Sequence, residues 1–199
     1  MPRSWHVAIV TLLLWGTLWP SNAAERRDWV ILSDCQYVTA KDNDGDSFRV
    51  RCGDKEFNLR LYFVDAPEAN LRYPERTREQ SDHFGVTLDV TMKAGVKATE
   101  AVRALLQEPF VVRTRWASAA GRGRETRYYA FVEVGSKSLM EVLVGQGLAR
   151  TKGVIVNLPT GEKAKVYAES LEALEREARQ KRLGVWASSP EQRAETPTK

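Results

Sequence analysis

Five strand-like segments in a meander-then-return order, a long helical excursion between the third and fourth, and helical periodicity after the fifth predict an α+β fold. The plan is a five-stranded OB-type β-barrel with about three packed helices. A chain of 199 residues that is 43% apolar can fill one such core, and 28% charged residues argue against a membrane bundle or a disordered chain.

The barrel does not start at the N-terminus. MPRSWH is a short basic opening, VAIVTLLLWGTLW an apolar run of 13 residues, and SNAA a small-residue exit, so residues 1–24 are expected to be a secretory signal peptide. The run is short for a membrane span. Residues 29–188 are expected to form the domain and 189–199 a flexible tail. From Trp29 the sequence alternates as strands do: WVILSDCQYVTA, a turn at KDNDGD, SFRVRC, a second turn at GDK, then EFNLRLYFV. Asp44-Gly45 between alternating segments is a strong hairpin signal, so residues 29–64 are expected as a three-stranded meander.

The excursion follows. ERTREQSDHF is helix-compatible, and LDVTMKAGVKATEAVRALLQ sets Ala98, Ala101, Val102, Leu105 and Leu106 near one apolar face. PFVVRTRW and RYYAFVEV are the fourth and fifth strands. Ser138 with Glu141 three residues on forms a capping box before LMEVLVGQGLA, with Gly147 at its end. In EKAKVYAESLEALEREARQKR the residues Val166, Tyr167, Leu171, Leu174 and Ala178 recur at helical spacing, Gly184 stops the helix, and Val185 and Trp186 can fold back on it.

Removing residues 1–24 takes away one basic residue and no acid, so the net charge falls only from +4 to +3. Distribution says more than the total. Arg113, Arg115, Arg122, Arg124 and Arg127 share a stretch with a single acid, Glu125, which suits either a polyanionic partner or a solvated basic loop. Cys35 and Cys52 both follow the leader, where an oxidising compartment favours a disulfide. A hairpin centred on Asp44-Gly45 places Cys35 roughly opposite residue 54, within reach of Cys52 by a diagonal pair or a shifted register.

Absences narrow the chemistry. His83 is the one histidine after the leader and is expected on the surface or in packing, which excludes histidine-pair phosphoryl chemistry and multi-histidine zinc sites. KDNDGDS fails as an EF-hand, because Gly45 at loop position six puts Ala40 at position one and Arg51 at position twelve. In LRLYFVDAPE, alternation puts Leu59, Leu61 and Phe63 on one face and Arg60, Tyr62 and Val64 on the other. An arginine among large apolar groups calls for an anion. Pro67 is expected to end the ladder and redirect Asp65 and Glu68. Carboxylates at Asp46 and Asp65 are hard ligands suited to Ca²⁺, arginines hold phosphate oxygens, and Glu68 can activate water: together these suit phosphodiester hydrolysis. A salt-bridged strand end uses the same residue types. Fully extended, Arg60 and Asp65 would lie roughly 17 Å apart, so only curvature can bring them together.

DGDS at 44–47, RLYFVDAPE at 60–68, RYYAFV at 127–132, LVGQGLA at 143–149 and LGVW at 183–186 resemble, in order, the thermonuclease family typified by staphylococcal nuclease. The resemblance runs over about residues 30–188. It implies an OB-type barrel and Ca²⁺-dependent endonuclease cleavage of DNA and RNA at the 5′-oxygen, leaving 3′-phosphate ends. Asp46 and Asp65 match the family's carboxylate calcium ligands, and Ala66 a position that contributes its backbone carbonyl. Arg60 and Arg127 match the phosphate-binding arginines that stabilise the transition state, and Glu68 matches the general base. Three departures stand out: Ala66 where threonine is common, Glu-Thr before Arg127 with Arg122 and Arg124 as competitors for its role, and a long excursion from Ala69 to Lys93, expected to wall the substrate groove.

The expectation is an exported nuclease, periplasmic or secreted, acting on nucleic acid as a monomer, with no stable membrane association and no protein partner. A non-catalytic nucleic-acid-binding OB module is the alternative, and the complete set of Asp46, Arg60, Asp65, Glu68 and Arg127 argues against it. An exported scaffold would explain the leader and the cysteines but not that set.

Overall fold

The computed structural model describes residues 28–119 and 125–189. The expected signal peptide, Arg122 and Arg124, and all but Ser189 of the expected tail lie outside the described residues.

The three expected strands of the meander are β1 (Val30–Val38), β2 (Ser47–Cys52) and β3 (Lys55–Leu61). After the excursion come β5 (Phe110–Ala119) and β6 (Arg127–Val134). Neighbours run in the order β3-β2-β1-β5-β6, and β6 then pairs with β3 in parallel, Asn58 against Arg127 and Arg60 against Tyr129, which closes a five-strand ring. Alternation fills it. Phe48, Val50, Leu59, Leu61, Val112, Ala130 and Val132 are buried in one core, while Arg49 and Arg51 point away from it. The fold is therefore the α+β, OB-type barrel that the sequence predicts.

Among the described residues four α-helices accompany the barrel, one more than the apolar periodicity marks. The excursion holds two, α1 (Pro74–Phe84) and α2 (Leu88–Leu105), because Gly85 adopts a left-handed conformation at φ 65° and Thr87 accepts the Val90 N–H to start the second. Ala98, Val102 and Leu106 of the expected α2 face are buried. In α3 (Leu139–Gly145) Ser138 stands at the N-cap position, but its hydroxyl lies 2.8 Å from Tyr167 Oη instead of capping the helix. α4 (Ala164–Gln180) buries Tyr167, Leu171 and Ala178 and leaves Val166 exposed, off the expected stripe. Trp186 folds back as predicted, and its main ring partner is Phe84 at the end of α1, 4.9 Å between centroids.

Short pairs missed at the sequence level complete the frame: β4 (Val64–Asp65) pairs with β8 (Arg150–Thr151), and β7 (Lys137–Ser138) with β6. Cys35 and Cys52 form a disulfide with Cα atoms 4.2 Å apart. The β1–β2 register, Gln36 against Arg51, sets the two cysteines directly opposite when carried on by one residue, two positions from the simple hairpin estimate. The turn makes the difference, since Asn43 accepts the Arg49 N–H and Asp44 N–H reaches Ser47 O. Replacing both cysteines by alanine should lower stability by about 3 kcal/mol, read as a lower urea midpoint at unchanged slope under non-reducing conditions.

Candidate active site

The β3 ladder ends at Leu61, and the chain turns before it reaches Pro67. Phe63 takes a left-handed backbone at φ 65°, unusual for a bulky residue, and its backbone is pinned on both sides: its N–H donates to Val154 O at 3.1 Å, and its carbonyl accepts from Lys152 N–H at 2.9 Å. Its ring is fully buried against Phe131 and Tyr167. This bend supplies the missing curvature. Arg60 Nη2 donates to Asp65 Oδ1 at 3.1 Å across a separation that an extended strand could not close.

Asp65 is the most heavily bonded side chain of the site. Its Oδ1 accepts from Arg60 and Arg76, and its Oδ2 accepts from Arg150 Nε and Nη2 at 2.9 and 2.8 Å and from Gln80 Nε2 at 3.0 Å. Burial pushes this carboxyl up, but Arg76, Gln80, Arg150 and Arg60 together hold it below its ordinary range. Arg60 also donates to Asp46 Oδ1 at 2.5 Å, so one guanidinium bridges the two aspartates. Asp46 Oδ2 accepts the Ala66 N–H at 2.7 Å. Burial pushes Asp46 well above the usual carboxylate range against the pull of Arg60, with Asp44 and Asp65 adding to the rise. Glu68 is raised too, chiefly by burial, and Arg76 Nε at 2.5 Å opposes the rise.

Helix α2 is the template against which both acid-bearing segments are set. A Cβ at Gly95 would meet Pro67 O at 2.5 Å and the backbone of Glu68 and Ala69 at 2.6 and 2.7 Å, so only glycine lets this strip of α2 lie against the Glu68 segment. A Cβ at Gly45 would meet the Cβ atoms of Ala66 and Ala98 at 2.8 Å. The small side chain of Ala66, where the resemblance anticipates threonine, is thus part of the contact that holds Asp46 beside Asp65.

The site opens on a groove of about 920 Å³, lined among others by Ser47, Arg60, Glu68, Arg72, Arg76 and Arg127. Arg127 reaches across the ribbon, its Nη1 donating to Ser47 Oγ at 3.1 Å. The structure therefore brings Arg60, Glu68 and Arg127 to one groove and keeps Asp46 and Asp65 beneath, buried at the Arg60 guanidinium. The excursion supplies one wall through Ala69, Asn70, Tyr73 and Pro74. Sequence reasoning passed over Arg76, Gln80 and Arg150. The first two stand four apart in a helix-compatible stretch and so share a face, a signal that could have been used. Arg150, 2% exposed, directly follows LVGQGLA. Other residues separate from the site: Arg113 pairs with Glu133, Arg115 lies over Trp29, and His83 contacts Glu175 at 2.9 Å.

Among the described residues no three His, Cys, Asp or Glu side chains gather closely enough to hold a metal. Asp46, Asp65 and the Ala66 carbonyl offer hard oxygen atoms on adjoining segments, all of them engaged by protein donors. Gln80 Nε2 links Asp65 Oδ2 to Ala66 O at 3.0 and 2.8 Å, and Arg60 fills the cationic position between the two aspartates. Such oxygens fit a water-rich hard cation.

The described residues thus form an OB-type barrel with a buried acid pair, Asp46 and Asp65, beneath a groove lined by Arg60, Arg76, Arg127 and Glu68. The family model described as Staphylococcal nuclease homologue matches residues 58–188, more than half of the chain, and the chain belongs to that family. The match begins in β3, so Asp46 lies ahead of it. No curated protein matches the chain. Membership suggests nuclease activity on a nucleic-acid substrate.

Gly95→Ala should cost about 1–3 kcal/mol in urea unfolding and should lower turnover further, because backbone around Glu68 must give way. A second expectation concerns acid. The Arg150 hydrogen bond, with Lys152 behind it, holds Glu79 down to about 2, against an ordinary 4.5. As pH falls the unfolded chain binds this proton first, so the stabilisation is present above pH 4.5 and is lost toward pH 2. Glu79→Gln should flatten that part of a plot of urea midpoint against pH.

Proposed function

We propose that the protein is a calcium-dependent endonuclease that hydrolyses DNA and RNA at the 5′-oxygen and leaves 3′-phosphate ends. The observation that carries this is the convergence of Glu68, Arg60 and Arg127 on one groove, in a chain of the staphylococcal nuclease homologue family. Arg60 and Arg127 bind the phosphate oxygens and stabilise the charge that gathers on them as water adds to phosphorus. Glu68, its carboxyl raised by burial, accepts the proton of that water as the P–O5′ bond breaks. Asp46, Asp65 and the Ala66 carbonyl would hold Ca²⁺, which when bound supplies further positive charge to the phosphate. Arg76 and Gln80 position Asp65 and the Glu68 segment: Arg76 contacts both carboxylates, and Gln80 Oε1 accepts the Glu68 N–H at 2.7 Å.

Export is part of the same reading, supported by the disulfide, which an oxidising compartment preserves. No helix among the described residues is long and apolar enough to cross a membrane. The test is cleavage of single- and double-stranded DNA and of RNA with calcium, with magnesium and with chelator. Chelator should abolish activity and calcium restore it, and Glu68→Gln should lower kcat by roughly 10²–10⁴-fold at unchanged melting temperature. Activity indifferent to chelator, or fully kept by Glu68→Gln, overturns the mechanism. Binding without cleavage under every condition favours the non-catalytic barrel.

A further inference from the structure

The outward face of the β2–β3–β6 ribbon carries an arginine that the groove chemistry does not use. Period-two alternation sends Ser47, Arg49 and Arg51 of β2 and Glu56, Asn58 and Arg60 of β3 to the same side. Register then arranges them in rows. Ser47, Arg60 and Tyr129 form one row, and Arg49, Asn58 and Arg127 form the next. Adjacent rows are two residues apart, roughly 7 Å along the strand. Arg49 therefore stands one row from Arg60 and in the same row as Arg127.

Arg49 already holds an anion. Its Nη2 donates to Glu125 Oε2 at 2.5 Å, its Nε donates to Asn58 Oδ1 at 3.1 Å, and Asn58 Nδ2 donates to the same Glu125 oxygen at 2.6 Å. Two donors from neighbouring strands thus converge on one carboxylate oxygen, while Glu56 Oε1 stands off at 3.7 Å from Arg49 Nη1. The Arg49 side chain is 27% exposed and that of Glu125 61%, so the donors are set in the surface and the acceptor rests on it. An exposed pair of this kind is cheap to break. Asn58 and Glu125 line both the large groove and a smaller cavity of about 250 Å³, which Arg49 and Tyr128 also line. The carboxylate sits at the border of the two.

We infer that Arg49 and Asn58 form a subsite for the phosphate next to the scissile one on a polynucleotide strand, and that Glu125 fills this subsite until a strand displaces it. The inference rests on the nucleic-acid reading of the groove. A phosphodiester is the matching replacement, since it offers the same single negative charge and the same hydrogen-bond acceptors as the carboxylate it would displace. Glu125 then acts as a built-in competitor that disfavours substrates too short to reach the row of Arg49.

Fluorescence anisotropy tests this in the full chain on a Glu68→Gln background with calcium present, so that a labelled oligodeoxynucleotide is held but not cut. Across a salt series, Arg49→Gln should weaken oligonucleotide binding and reduce the slope of log K against log salt by about one. Glu125→Gln should tighten binding roughly two- to fivefold. A dinucleotide with one phosphodiester should bind all three proteins alike. A strand that binds with the same slope and affinity in all three proteins overturns the subsite and leaves the nuclease reading standing. A parent protein that binds no strand at all overturns both.

Discussion

Asp65 is 4% exposed, and its carboxylate is reached from three directions: Arg60 on β3, Arg76 and Gln80 on α1, and Arg150 on β8. A buried carboxylate left without partners is costly, and removing one side of a buried ion pair typically costs about 3–5 kcal/mol. Each of these elements is therefore bound to the others through one acid. The bend at Phe63 delivers Asp65 to that meeting point, and the β4–β8 pair, Asp65 against Arg150, holds it there.

The consequences spread outward along defined contacts. Arg60, fixed at Asp65, is also fixed at Asp46, so the start of β2 and the end of β3 share one cation. Asp46 in turn accepts the Ala66 N–H, and the Gly45–Ala66–Ala98 contact presses both acid-bearing segments against α2. The carboxyls then divide by environment. Asp65, ringed by donors, is held ionised, whereas Asp46 and Glu68 are raised by burial and by the acids around them. That separation is what a site needs if one carboxylate is to hold charge in place and another is to take up a proton.

The excursion is bound into the same network. Helix α1 contributes the groove wall on one side and Arg76, Glu79 and Gln80 on the other, and its far end is clamped through Phe84, Trp186 and the His83–Glu175 contact. The Arg49–Asn58–Glu125 triad reaches the same groove through Asn58 and Glu125. The groove is thus framed by two sets of ion pairs, one buried and costly to open, the other superficial and exchangeable.

Much of the frame was legible in the sequence, because it depends on local rules. Alternation in β2 and β3, the α2 periodicity and the strand beginning at Arg127 each follow from neighbouring residues, whereas the β1–β2 turn falls at Lys41-Asp42, ahead of the expected Asp44-Gly45. The same local reading singled out Asp46, Arg60, Asp65 and Glu68, while the family resemblance marked Arg127. What stayed hidden depends on contacts between distant segments. Phe63 carries no turn residue's signature, and its left-handed backbone exists only because Val154 and Lys152 satisfy it. Arg76, Gln80 and Arg150 are ordinary polar residues until packing turns them on Asp65. The amino-acid pattern by itself determined the barrel and the chemical types at its site, since strand and helix periods are properties of short stretches. Only the tertiary structure decided that one guanidinium would bridge Asp46 and Asp65 and that Glu125 would rest on Arg49. Those pairings join residues from 5 to 76 positions apart, and closing such gaps takes the fold itself.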